Sequence, residues 1–272
     1  MGSAGLKGDR VMSQPLATAD AAKFAAAKQA SELVETGMKV GLGTGSTAAW
    51  LVRALAARQH EEGLRFQAVP TSTQTAALAG ALGIPLTTLD AAGWLDLTID
   101  GADEVDAQFS LIKGGGGALL QEKIVAKASD RMVVIADSEK QVARLGKFAL
   151  PVEVIGFGKS ASKTLIKATL KDLGFANPNS KFRPGQAGLF VTDEGNHILD
   201  LELQTIPDPT ALAQALNQVP GVVENGLFIG ICSALVIGYS DGRVSYTDVA
   251  TGTEEVVQID LDQAARLAEL GR

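Results

Sequence analysis

"MKVGLGTGSTAAWLVRALAARQ", residues 38–59, runs from a short apolar strand through a loop of glycine and hydroxyl residues into a helix. The passage recurs along the chain. "RFQAVPTSTQTAALAGALG" (65–83) gives a strand, a hydroxyl-rich loop and a helix, and "LDLTIDGADEVD" (95–106) a strand ending in an acidic loop. "LIKGGGGALLQEKIVAKAS" (111–129) and "RMVVIADSEKQVARLG" (131–146) are two more strand–loop–helix passages. Before them "DAAKFAAAKQASELVETG" (20–37) reads as a helix, with Asp20 as N-cap and Gly37 as its stop. Strands alternating with helices predict an α/β fold, a parallel sheet covered on both faces. Ligands of such sheets bind at the carboxyl ends of the strands, where these unusual loops fall.

After residue 149 the pattern changes. "PVEVIGF" (151–157) is a strand and "ASKTLIKATLKDLG" (161–174) a helix. "GLFVTDEGNHILDLEL" (188–203) is a hairpin turned at Asp-Glu-Gly-Asn, "DPTALAQALNQV" (208–219) a helix and "GVVENGLF" (221–228) a strand. The order β-α-β-β-α-β is that of an α+β ferredoxin-like unit. It predicts a small domain over 150–226, inserted into a larger one made of 15–149 plus 227–272.

The 272 residues are 46% hydrophobic and 20% charged, a profile that supports an ample core. A net charge of −7 argues against nucleic acid as a partner, yet leaves room for local lysines to hold a small anion. The single cysteine, Cys232, admits no internal disulfide and fits a reducing, cytoplasmic setting. It stands in "LFIGICSALVIGY" (227–239), too short for a membrane span, and reads as an inert core residue in a buried strand and turn. The first residues carry no apolar stretch of the kind a secretion signal needs. His60 at a polar helix end and His197 in the hairpin turn lie away from the glycine-rich loops and are expected in solvent.

The loops carry the chemistry. "GLGTGST" (41–47) follows a strand and opens a helix, so its amides and the helix dipole suit an anion. It lacks the lysine of a P-loop and the third glycine of a dinucleotide fingerprint, and the second strand ends in hydroxyls where a ribose-binding carboxylate would stand. In "IDGADEVD" (99–106) Asp100 and Asp103 admit three readings: turn and helix cap, part of an acidic metal cluster with Glu104 and Asp106, or carboxylates for proton transfer and sugar hydroxyls. Lys113, the run Gly114–Gly117 and Glu122 make a further cluster. Glycines let the backbone pass close to a ligand and offer it N–H donors. A carboxylate beside a lysine is equipped to take a proton from carbon next to a carbonyl while the cation steadies the oxyanion.

Taken in order, "GLGTGSTA", "TSTQT", "LTIDGADEVD", "LIKGGGGALLQEKIV", "IADSEKQV", "LGKFALPVEV" and "NGLF" resemble the type A ribose-5-phosphate isomerases over nearly the whole chain from residue 20. The resemblance implies a Rossmann-like domain with a ferredoxin-like one. It also implies interconversion of D-ribose 5-phosphate and D-ribulose 5-phosphate through an enediolate, in the pentose phosphate pathway, without metal or organic cofactor. Glu122 matches the general base, Lys113 the cation that neutralises developing oxygen charge, and Asp100 and Asp103 the pair for ring opening and hydroxyl contacts. Thr44, Gly45, Ser46 and Thr47, then Asp100, Gly101, Ala102 and Asp103, then Lys113, Gly114, Gly115 and Gly116 match substrate-binding segments, with Lys140 and Lys23 as further substrate lysines. The glycine run is expected to leave room for a sugar phosphate. A homodimer or homotetramer is implied as well. Two rivals predict different behaviour: a sugar-phosphate sensor needs a DNA-binding segment, and a coenzyme A transferase would form a covalent adduct on its glutamate.

Overall fold

The computed structural model describes residues 17–176, 178–268 and 270. The opening residues, including 15 and 16 of the expected larger domain, lie outside the described residues. Helix α1 (Thr18–Ser31) precedes strand β1 (Lys39–Leu42), helix α2 (Ser46–Glu61), strand β2 (Gln67–Pro70), helix α3 (Thr73–Ala81) and strand β3 (Leu97–Gly101). Helix α4 (Leu119–Lys127) and strand β4 (Met132–Asp137) follow. Strand β5 (Leu150–Val154), helix α5 (Lys159–Asp172), strand β6 (Asn179–Phe182), strand β7 (His197–Glu202), helix α6 (Pro209–Asn217) and strand β8 (Val222–Asn225) come next. Strands β9 (Ala234–Gly238), β10 (Arg243–Asp248) and β11 (Glu254–Gln258) and helix α7 (Asp262–Ala268) end the chain.

The main sheet has the order β11-β10-β9-β4-β3-β1-β2. Five neighbouring strands, β9 to β2, are parallel, and β10 and β11 extend that edge as antiparallel strands. The order reverses at β1, whose neighbours are β2 on one side and β3 on the other. The carboxyl ends of β1 and β3 therefore form the switch point at which such sheets open a crevice.

Strand β4 is buried along its whole length, and its side chains divide by the two-residue period of a strand. Val133 and Ile135 join Phe24, Leu51 and Leu55 of α1 and α2, while Met132, Val134 and Ala136 join Leu111, Phe228 and Cys232 on the opposite face. Both faces are thus covered, one of them partly by strands rather than helices. A three-stranded antiparallel ladder of Glu104–Val105, Leu111–Ile112 and Leu227–Phe228 supplies that cover.

The second sheet, β8-β5-β7-β6, is antiparallel, and with α5 and α6 it encloses its own core around Val152, Ile166, Leu199 and Leu216.

Five local expectations are corrected. Lys113 ends a strand of the small ladder, not of the main sheet, because Leu111–Ile112 pairs with Leu227–Phe228. After β4 the chain makes only a short 3-10 turn, Ser138–Lys140, since Val142 is drawn into an extended path by its amide bond to the Val105 carbonyl. Helix α1 starts from Ala17 and ends at Ser31, so Asp20 lies in its first turn and Gly37 in a separate turn at φ +98°. The hairpin partner of β7 is β6, and Gly188–Leu189 pairs instead with Pro184–Gly185 across a small turn. His197 opens β7 half-buried, its Nδ1 2.9 Å from the Phe190 carbonyl oxygen, rather than in solvent.

His60 is exposed. Cys232 is buried, and burial pushes its thiol up to about 12, the state of an unreactive core residue. Among the described residues no helix is long and apolar enough to cross a membrane.

Candidate active site at the switch point

The turn after β1 and the end of β3 meet because Gly43 has no side chain. A Cβ there would lie 2.0 Å from Asp100 Oδ1. In its absence the Thr44 amide donates to Asp100 Oδ1 at 3.1 Å, and the Gly101 amide donates to the same oxygen at 2.7 Å. Beneath the turn lies a buried knot of hydroxyls. Thr44 Oγ1 is 2.8 Å from both Thr71 Oγ1 and Ser72 Oγ, and Thr75 Oγ1 donates to the Gly43 carbonyl at 2.9 Å. The Thr44 hydroxyl thus braces the loop from below, while Ser46 and Thr47 open α2 at its positive end.

Lys113 is the centre of the site and is 2% exposed. Its ammonium bonds the Gly101 carbonyl at 2.6 Å and lies 2.9 Å from Asp100 Oδ2 and 3.3 Å from Glu122 Oε1. The Asp100 Oδ2 contact is an ion pair without hydrogen-bond alignment. Beneath the ammonium, the Phe228 ring centroid is 5.4 Å away. Glu122 shares its inward face of α4 with Leu119, Val125 and Ala126, a core-facing spacing. Its second oxygen, Oε2, is buried and has no hydrogen-bond partner among the described residues.

These burials set the protonation. The Glu122 carboxyl is raised to about 8, by burial first and by Asp100 second, with Lys113 opposing the rise. Burial also raises Asp100, with Lys113 and the Gly101 and Thr44 amides opposing. Burial disfavours the charge of Lys113, but Asp100 and Glu122 outweigh it and hold the ammonium protonated more firmly than usual. One fixed cation therefore stands between a carboxylate and a group able to exchange a proton near neutrality.

The other three carboxylates of the acidic loop part company. Asp103 Oδ2 accepts from the Gly115 amide at 2.7 Å, and Asp106 Oδ1 takes the Gln108 and Ser110 amides at 2.9 Å each. Glu104 accepts from the Gly146 and Phe148 amides at 2.7 and 2.5 Å. Each is occupied with backbone in a different direction.

Of the catalytic and substrate residues that the resemblance implies, all but Asp100 line one cavity of about 120 Å³. Thr44 to Thr47 form one wall, Gly101 to Asp103 and Lys113 to Gly116 another, with Glu122 at the floor and Lys23 and Lys140 at the rim. Asp100 is fully buried and supports the floor from beneath Lys113. Lys23 lies 4.0 Å from Asp20. Sequence reasoning missed Arg183, which reaches the Gly114 and Gly115 carbonyl oxygens from the second sheet. A lone arginine before Pro-Gly carries no local signal of that reach. The Thr71, Ser72 and Thr75 knot was visible as a motif, but its role beneath the loop was not.

A family model described as Ribose 5-phosphate isomerase A (phosphoriboisomerase A) matches residues 67–242. Ribose-5-phosphate isomerase A of Cereibacter sphaeroides is 60% identical over 261 residues, 96% of this chain and 100% of the relative. The solved ribose 5-phosphate isomerase A of Methanocaldococcus jannaschii is 39% identical with a TM-score of 0.73, covering 87% of this chain and 98% of that one. A D-ribose-5-phosphate isomerase solved in complex with phospho-erythronic acid is 36% identical, TM-score 0.75, covering 83% and 97%.

Proposed function

The chain belongs to the ribose-5-phosphate isomerase A family and is an isomerase of ribose 5-phosphate and ribulose 5-phosphate; from that premise we propose that Glu122 moves the proton and Lys113 holds the oxygen charge. The observation that carries this reading is the Lys113 ammonium 3.3 Å from Glu122 Oε1, with Glu122 Oε2 unpartnered among the described residues at the cavity floor.

In the open-chain aldose, Glu122 takes the C2 proton. The C–H electron pair becomes the C1–C2 double bond as the carbonyl pair moves onto O1. Lys113 stabilises the enediolate oxygens, a contribution that grows only as charge develops. The O2 hydroxyl proton then passes to O1. As the O2 electron pair forms the C2 carbonyl, the C1–C2 double-bond pair takes the proton back from Glu122 at C1, leaving the ketone at C2 and a hydroxyl at C1. A base raised to about 8 is matched to accepting and returning a proton near neutral pH. Asp100 keeps Lys113 charged, and Asp103 at the rim of the glycine loop serves the sugar hydroxyls and ring opening. The phosphate rests at the start of α2, on Ser46 and Thr47, with Lys23 and Lys140 as counter-charges.

The same reading includes the larger and smaller domains at 15–149 plus 227–272 and 150–226, the smaller supported by its own apolar core. It includes a cytoplasmic enzyme of the pentose phosphate pathway. It also includes a homodimer or homotetramer, which light scattering in solution tests.

The central experiment mixes the protein with ribose 5-phosphate in D₂O and a chelator, and follows ribulose 5-phosphate and C–H exchange by NMR. Wild-type turnover is expected, and Glu122→Gln should lower kcat by about 10²- to 10⁴-fold. Near-wild-type activity in that variant would remove Glu122 as the base.

A further inference from the structure

The glycine run of the cavity is held from two opposite sides. On the side of the main sheet, Asp103 Oδ2 accepts from the Gly115 amide at 2.7 Å. On the other side Arg183, the residue after β6, donates from Nη1 to the Gly114 and Gly115 carbonyl oxygens at 2.8 and 3.0 Å. Its Nε and Nη2 bond Asp200 Oδ2 and Oδ1 at 3.0 and 2.6 Å, a bidentate pair that fixes the guanidinium plane. Phe190 completes the support. Its ring lies 5.9 Å from the Arg183 guanidinium carbon and fills the place of a Cβ on Gly117, 2.4 Å away.

A trans peptide unit is planar, with its C=O and N–H pointing in opposite directions. The Gly114–Gly115 unit is therefore pinned at both ends, its oxygen on Arg183 and its N–H on Asp103. In the Gly115–Gly116 unit the oxygen is also on Arg183, so the Gly116 N–H is turned the opposite way. That amide has no protein acceptor among the described residues, and Gly116 lines the cavity.

We propose that Arg183 is a positioning residue for the isomerisation: by holding the Gly115 carbonyl from behind, it aims the Gly116 amide at the oxygens of the sugar chain. The proposal rests on the isomerase reading. It also makes the cavity dependent on the second sheet, because Arg183 and Asp200 belong to β6 and β7 or their flanks.

Arg183→Lys and Arg183→Ala test it. Lysine leaves Asp200 a cation, but its single ammonium lacks the planar fork that spans a carboxylate and two carbonyls. Calorimetric affinity for phospho-erythronic acid, a sugar-acid phosphate, is compared with affinity for inorganic phosphate, alongside melting temperature, kcat and KM. In Arg183→Lys, folded like the wild type, phospho-erythronic acid affinity and kcat/KM should each fall by at least about tenfold, while phosphate affinity at the α2 end stays unchanged. Arg183→Ala should lose at least as much.

Wild-type affinity for phospho-erythronic acid in Arg183→Lys overturns the proposal, as does an equal loss for both ligands. Failure of both variants to fold also overturns it, for the arginine would then hold the second sheet rather than the loop. An inactive wild-type protein removes the isomerase reading and this proposal together. An active wild type with unaffected variants removes this proposal alone.

Discussion

At the scale of single residues, the cost of burying charge decides what Glu122 does. Its carboxyl is raised from 4.5 to about 8 by burial first and by Asp100 second. If it is the base proposed above, it must be ionised, so kcat/KM should climb with pH and level off above about 8. The same shift has a stability sign. A group whose folded pKa is raised contributes stability that is complete below its ordinary pKa and lost as pH rises through the folded one. Glu122→Gln imitates the protonated acid, so it should match the wild type in urea denaturation near about pH 3.5, below the ordinary pKa, and exceed it by at least about 1.4 kcal/mol near about pH 9. An equal difference at both pH values would show that Glu122 titrates normally.

The glycine run makes a second prediction at this scale. A Cβ on Gly115 would meet the Asp103 carboxylate at 2.6 Å, whereas one on Gly116 would only touch Thr44 Cγ2 at 3.4 Å. Gly116→Val should therefore stay folded and raise KM by at least about tenfold through obstruction of the cavity, and Gly115→Val should also disturb Asp103. Melting curves beside steady-state kinetics separate the two.

At the scale of elements, the site is built from loop ends, and its legibility follows from that. The β1 turn, the acidic loop and the glycine run each packed chemistry into a few contiguous residues, so their composition was readable. Glu122 was readable in a second way, as a charge at a core spacing with Leu119, Val125 and Ala126. The Thr71–Thr75 segment was visible as hydroxyls, but what those hydroxyls brace depends on β1 and β2 lying side by side. Thr75→Val tests the brace. It leaves the Gly43 carbonyl without its 2.9 Å donor, so it should cost about 1–3 kcal/mol in denaturation and weaken inorganic phosphate binding. Retained stability and affinity would show that the knot is incidental.

At the scale of the whole molecule, the ladder strand before Lys113 straddles two cores. Leu111 packs with Phe228 and Met132 under the main sheet, while its neighbour Ile112 packs with Leu150 and Leu199 of the second. Lys113 is thus held at the end of a ladder strand that packs into both cores. Leu199→Ala, at a fully buried position, should cost about 2–5 kcal/mol. It should also lower kcat/KM of the folded fraction, although Leu199 does not line the cavity. Unchanged kcat/KM after correction for unfolded protein would show that the second core is energetically separate from the site.

By itself the sequence determined the alternation of strands and helices, the second α+β unit and the loops that carry carboxylate, lysine and glycine, because each rests on local periodicity or a contiguous motif. Only the tertiary structure decided that Lys113 belongs to a separate ladder, that Asp100 lies buried beneath it, and that Arg183 reaches the glycine carbonyls from 68 residues away in sequence. These depend on which backbones approach each other, as at Gly43 and Asp100, and a contact between distant strands leaves no periodic trace in either one.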